Sequence, residues 1–334
     1  MRFSRRFSAL LGLAAVSALS LVGCAPASTA TPDDDSVHVV ASTNVYGSIV
    51  EAIGADRVEV TSLIDSISQD PHAYEASARD QLTISRADLI VANGGGYDSF
   101  VDALVDATGT DVDVLRAVEF SHDYPDAEHA HVGDDADHDD AGAQEGDHDH
   151  GADHGHDHIE GFNEHVWYDP HTVAHLAEDI VQHLSELDPE GASVYEANGE
   201  EFGAGIAELE AGLAEIAAAH EGEQVFGTEP VPSYLTAAAG LVDAAPAAFT
   251  EAVEEGQDVS PATLLEARRL IESGDVRVVI ANAQTGGAET NEVIGWSEAR
   301  GIPVLEFTEL VPDGETYLTW MSANIDALAG ALNS

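Results

Sequence analysis

The sequence predicts an α/β protein of two lobes, each a parallel β-sheet flanked by helices, with one long helix joining them. Short β-branched runs at His38-Val39-Val40-Ala41, Val58-Glu59-Val60 and Asp88-Leu89-Ile90-Val91-Ala92 are separated by helix-length segments. That alternation is the pattern of parallel strands with helical crossovers. The same pattern returns at Val276-Arg277-Val278-Val279-Ile280 and Ile302-Pro303-Val304-Leu305. Between the two sets, Asp188 is a candidate N-cap with Pro189 at the first helical position. Phe202, Ile206, Leu209, Leu213 and Ile216 then recur at steps of four and three, which gives one apolar stripe. A helix of about 30 residues would run about 45 Å, long enough to bridge two lobes. Gly199, Gly203 and Gly205 weaken its first half, so the pattern also allows a break there. These boundaries divide the chain into an N-terminal lobe at 37–187, a linker helix at 188–221 and a C-terminal lobe at 222–334.

The first 23 residues read as a signal peptide: Arg2, Arg5 and Arg6 precede an apolar run from Ala9 to Val22 that is too short to span a bilayer. Leu21-Val22-Gly23-Cys24 resembles the lipobox of bacterial lipoproteins, which implies a lipid on Cys24 and an anchored, extracytoplasmic protein. Residues 24–36 are small, polar and aperiodic, as expected of a flexible tether. Cys24 is the only cysteine, so once it is lipidated the mature protein has neither a thiol nor a disulfide, and a metal site must use nitrogen and oxygen donors.

The chain has 63 acidic residues against 11 basic ones, and every basic residue is an arginine. Lysine-dependent phosphate loops, Schiff-base chemistry and a phosphate-tracking nucleic-acid surface are thereby excluded. A net charge of −52 draws cations toward the surface, although solubility or salt adaptation accounts for most of it. One stretch, 121–159, is unlike the rest. Between His122 and His158 lie nine histidines and 13 acidic residues with almost no large apolar side chain, a composition that cannot offset the entropy of ordering. His129, His131, His138, His148, His150, His154, His156 and His158 make it a candidate auxiliary metal loop, since imidazoles prefer zinc, copper or nickel to calcium or magnesium.

Two phrases bracket that loop: Asp70-Pro71-His72-Ala73-Tyr74-Glu75 and Glu164-His165-Val166-Trp167-Tyr168-Asp169-Pro170. Each puts a histidine in a turn where a strand hands over to a helix, the end of a parallel sheet at which ligands gather. Both phrases and their order resemble the metal-binding receptors of bacterial zinc and manganese ABC importers, and the resemblance runs through the whole mature chain. It implies a metal site in the cleft between the lobes, with His72 and His165 as ligands from the first. It also implies Glu229, in Thr228-Glu229-Pro230-Val231-Pro232-Ser233-Tyr234-Leu235, as the third ligand. The fourth is Glu309, in Phe307-Thr308-Glu309, where the family usually has aspartate; Glu306 and Asp313 are nearby competitors. Two imidazoles and two carboxylates neutralise and enclose a divalent ion. The implied cargo is Zn2+, favoured by the histidine loop, or Mn2+, favoured by the two glutamates. The implied partners are a permease and its ATPase, and the receptor is expected to act as a monomer. Affinity should fall as pH drops through the imidazole range near about 6.5.

Three further features admit simpler readings. Asp169 either orients the neighbouring imidazole or caps the helix that begins at Pro170. His171, His175, Asp179 and His183 recur every four residues, as a metal stripe or a solvated helix face. Asn93-Gly94-Gly95-Gly96-Tyr97 lacks GxGxxG spacing and reads as a turn. No H-E-x-x-H or G-x-S-x-G pattern supports a zinc hydrolase, and the remaining rival is a surface metal buffer or adhesin.

Overall fold

The computed structural model describes residues 36–69, 71, 72, 74–125, 159 and 161–334. The signal segment, Cys24, the tether up to residue 35 and the loop histidines from His129 to His158 lie outside these residues. The first sheet comprises β1 (Val37–Thr43), β2 (Val58–Ile64), β3 (Leu89–Ala92) and β4 (Asp113–Arg116). All pair in parallel in the order β2-β1-β3-β4. The second repeats this plan with β5 (Gln224–Gly227), β6 (Val242–Asp243), β7 (Val276–Asn282) and β8 (Val304–Phe307), in the order β6-β5-β7-β8. In each sheet the winding reverses beside the first strand, which opens a crevice beyond the carboxyl ends.

Helices α1 (Asn44–Gly54), α2 (Ala78–Ile84), α3 (Phe100–Thr108) and α4 (Pro170–Leu187) cover the first sheet, and the 29-residue α5 (Ala192–His220) follows. The second sheet carries α6 (Ser233–Ala238), α7 (Ala247–Glu254), α8 (Pro261–Ser273), α9 (Ala288–Arg300) and α10 (Tyr317–Leu332). Phe202, Ile206, Leu209, Leu213 and Ile216 are all buried along α5, as their spacing predicts. They belong to one cluster that includes Val39 and Ile49 of the first lobe and Val278, Trp320 and Leu328 of the second.

The start of α5 differs from the sequence expectation. Asp188 closes α4 instead of opening α5, and the N-cap is Gly191. The Asp188 carboxylate is held by Arg57 at 2.6 Å and the Tyr195 hydroxyl at 2.8 Å on one oxygen, while the other accepts from the Gly191 amide at 3.2 Å, so it braces the turn that precedes α5 and does not cap the helix itself. Nor does α5 break at its glycines. A Cβ at Gly199 would lie 2.6 Å from Val181 Cγ2, so glycine there lets α4 and α5 pack closely.

Hydrogen bonds also join the two sheets' loops. Asn44 donates to the Val311 carbonyl at 2.8 Å and accepts from the Val311 amide at 3.0 Å, and the Tyr317 hydroxyl donates to the Trp167 carbonyl at 2.8 Å. Among the described residues, no helix is long and apolar enough to cross a membrane.

Candidate metal site

His72 follows β2, His165 opens the short 3-10 turn Val166–Tyr168, Glu229 follows β5 and Glu309 follows β8. All four lie beyond the carboxyl ends of their sheets. The structure brings them to one place: His72 Nε2 is 3.5 Å from Glu309 Oε2, the His72 and His165 ring centroids are 6.0 Å apart, and Glu229 and Glu309 share one amide donor, Asn282 Nδ2. His165, Glu229 and Glu309 are buried and His72 is nearly so. Glu306 and Asp313 are exposed, so the competitors named from sequence face away.

The imidazoles are held by aromatic packing and a local hydrogen bond. Gly94, Gly95 and Gly96 all have positive φ, a run that only glycine adopts without strain. This turn, tied by the Asn93 and Gly94 amides to the Asp98 carboxylate at 2.6 and 2.8 Å, places Tyr97 edge-on to His72 at 5.0 Å and to His165 at 5.9 Å. His165 Nδ1 donates to Asn163 Oδ1 at 2.7 Å, since that oxygen can only accept. Its Nε2 therefore carries the lone pair, the tautomer a metal ligand requires. Asn163 in turn donates to the Pro230 carbonyl at 3.1 Å, next to Glu229.

Amide and hydroxyl side chains hold the carboxylates. Asn282, the last residue of β7, donates to Glu229 Oε2 at 2.8 Å and Glu309 Oε1 at 2.6 Å. Thr285 donates to the other oxygen of Glu229. Gln284 Oε1 accepts from the Glu309 and Leu310 amides at 2.7 and 3.0 Å, and its Nε2 donates to the Gln69 carbonyl at 3.2 Å. Tyr97 reaches across to donate to Glu309 Oε2 at 3.1 Å.

One ligand-type residue at the site has no sequence signature. Glu254, the last residue of α7, places Oε1 3.6 Å from His165 Nε2. Donor atoms of His72, His165 and Glu254 lie within 4.8 Å of one another. Glu164 is also buried, and its charge acts on both His72 and Glu254.

The charges perturb one another strongly. Burial lowers the affinity of His72 for a proton, but the hydrogen bond and charge of Glu309, with Glu164 and Glu254, outweigh it and raise the pKa to about 9. Burial, reinforced by Glu164, pushes Glu254 up to about 8. Burial likewise raises Glu229. Burial also opposes ionisation of Glu309, yet its hydrogen bond to His72, the nearby imidazoles and the Asn282 amide bring it below the usual carboxylate range. Among the described residues, no arginine pairs with Glu229, Glu254 or Glu309.

The other sequence features take their simpler readings. Asp169 caps α4 through the His171 amide at 3.1 Å and the Thr172 hydroxyl at 2.6 Å. His171 and His175 are exposed, and they and His183 pair with acidic neighbours Glu210, Glu178 and Asp179.

Comparison with known proteins places this architecture. The chain is 30% identical over 196 residues to the manganese-binding lipoprotein MntA of Halalkalibacterium halodurans, across 58% of this chain and 55% of that protein, so that match spans about half of the relative's length. It is 25% identical over 350 residues to the iron ABC transporter substrate-binding lipoprotein MtsA of Streptococcus pyogenes serotype M1, covering 98% of this chain and 99% of that one. In fold it is similar to the periplasmic zinc-binding protein TroA of Treponema pallidum, with a TM-score of 0.67 at 17% identity over 89% of this chain and 99% of that one. The family model described as the periplasmic component A of the zinc-uptake complex matches residues 39–331, and the chain belongs to that family.

Proposed function

We propose that this protein is an extracytoplasmic solute-binding receptor that captures a divalent transition metal, Zn2+ ahead of Mn2+, and delivers it to the permease and ATPase of an ABC importer. His72, His165, Glu229 and Glu309 are its ligands, and the ion sits between the two sheets. The observation that carries this reading is the charge imbalance at that place. Buried glutamates surround two imidazoles without an arginine partner among the described residues, and such a cluster calls for a cation. The ion is cargo, and no catalytic role is assigned.

The same reading gives the remaining parts their tasks. Residues 1–23 direct export, Cys24 carries the lipid, 24–36 tether the folded part, and the histidines of 121–159 gather the ion weakly before it enters the site. The lobes 37–187 and 222–334 supply imidazoles and carboxylates respectively, so parting them dismantles the donor set. Imidazole and raw affinity order favour zinc. The two glutamates, and relatives named for manganese or iron, keep manganese as the next candidate.

The test is metal content and stoichiometry of the full chain, with Zn2+ and Mn2+ in competition. One tight equivalent per chain, preferring Zn2+, together with weaker ones that a mild chelator strips, is expected. Many equivalent weak sites would instead mean a surface buffer.

A further inference from the structure

Glu254 belongs to none of the donors assigned above, yet its Oε1 lies 3.6 Å from His165 Nε2. We propose that Glu254 is a further ligand of the ion, a third carboxylate that narrows the gap between Mn2+ and Zn2+ by supplying the extra oxygen donor that Mn2+ uses and Zn2+ does not need.

This rests on the receptor reading and adds a specificity-determining residue to it. Two donors on one zinc stand at most about 4.4 Å apart, given bonds of about 2.2 Å. Glu254 Oε1 is 3.6 Å from His165 Nε2, within that limit, and His72 completes a trio spanning at most 4.8 Å. Slight contraction around an ion closes the remaining gap. Glu254 Oε1 is buried and accepts no hydrogen bond among the described residues, whereas both oxygens of Glu229 already accept from Asn282 and Thr285. The side chain is only 14% exposed. Its helix is anchored by Phe249, fully buried and 5.4 Å from the Phe226 ring, so the carboxylate is presented from a packed element.

Two imidazoles and two carboxylates complete the tetrahedral shell of zinc, while manganese favours six oxygen-rich positions. A fifth protein donor therefore contributes more to bound Mn2+ than to bound Zn2+. Removing Glu254 should separate the two metals.

The experiment measures Mn2+ and Zn2+ dissociation constants for the full chain, E254Q and E255Q. Glu255 is the exposed neighbour, so E255Q removes the same charge outside the site. In E254Q the Mn2+ constant should rise about tenfold or more while that of Zn2+ rises less than about threefold; E255Q should move neither beyond about threefold. Equal changes for both metals in E254Q, no change, or a larger loss of Zn2+ would overturn the proposal. Glutamine keeps the shape of the protonated side chain that the metal-free protein holds at neutral pH, so E254Q should fold, and thermal melting of the metal-free variant checks this. H165A reads the parent assignment separately: retained tight binding there removes the receptor site itself, whatever Glu254 does.

Discussion

The two halves of the site hold their donors by different means. In the first lobe, His72 and His165 sit on loops and are steered by Tyr97, by Trp167 at 5.1 Å from the His165 ring, and by one bond to Asn163. In the second, Glu229 and Glu309 are locked by a polar frame of Asn282, Gln284 and Thr285 at the end of β7. Aromatic packing fixes a ring's position without using its nitrogens. Amide donors satisfy carboxylates that would otherwise repel one another in a buried setting. The imidazole side is thus a pair of rings carried on loops, and the carboxylate side a pair of acids held in a polar frame. A substitution on either side separates these roles.

The largest effect is expected from His72→Ala. The ring lies over a formed core and touches Glu309 and Tyr97, so its removal takes a donor without opening the core. Metal affinity should fall more than about 100-fold, while the thermal midpoint of the metal-free chain moves by only a few degrees. Titration calorimetry beside circular dichroism reads both. Affinity retained within about tenfold would show that the loops do not supply the ligands.

Proton competition comes next, and it joins the two sides because Glu309 is what raises His72. Binding requires a neutral imidazole and ionised carboxylates. In the metal-free protein His72 keeps its proton up to about 9 and Glu254 up to about 8. Raising pH removes both competitors, so affinity should climb by about tenfold per pH unit for each proton displaced, levelling only near pH 9. A free imidazole would level above about 6.5. Mn2+ affinity measured against a chelator from pH 6 to 9 distinguishes the two, and a plateau from pH 7 would mean that Glu309 does not hold His72 protonated.

The lobes were legible in sequence because their signals are local. The β-branched runs became β1, β2, β3, β7 and β8, and the stripe from Phe202 to Ile216 became the buried face of α5. The start of α5 was not, because the fate of Asp188 depends on Arg57, which is 131 residues away in the chain. His72, His165, Glu229 and Glu309 stood out through the phrases around them, and the fold gathers them. Asn282 and Glu254 had no such phrase. Asn282 matters because β7 runs between β5 and β8, whose following loops carry the two glutamates. Glu254 is one of three acids in Glu251-Ala252-Val253-Glu254-Glu255, and only the docking of α7 separates it from its exposed neighbours Glu251 and Glu255.

Asn282 also offers the finest test of how the two sides differ. Its amide donates to both glutamates at once, so Asn282→Ala deletes neither a donor nor a charge and removes only the frame. In the metal-free state the two carboxylates would then repel without a shared donor, and each would hold a proton more readily. A bound ion supplies the missing positive charge, so the cost falls mainly on the empty protein's stability and on ligand placement. Affinity should drop by about tenfold or less, with more protons released on binding than in the parent chain. Calorimetry in buffers of different ionisation enthalpy counts those protons. An unchanged count, with affinity also unchanged, would show that Glu229 and Glu309 do not depend on the amide, and the contrast between a framed acidic half and a loop-borne imidazole half would then reduce to residue type alone.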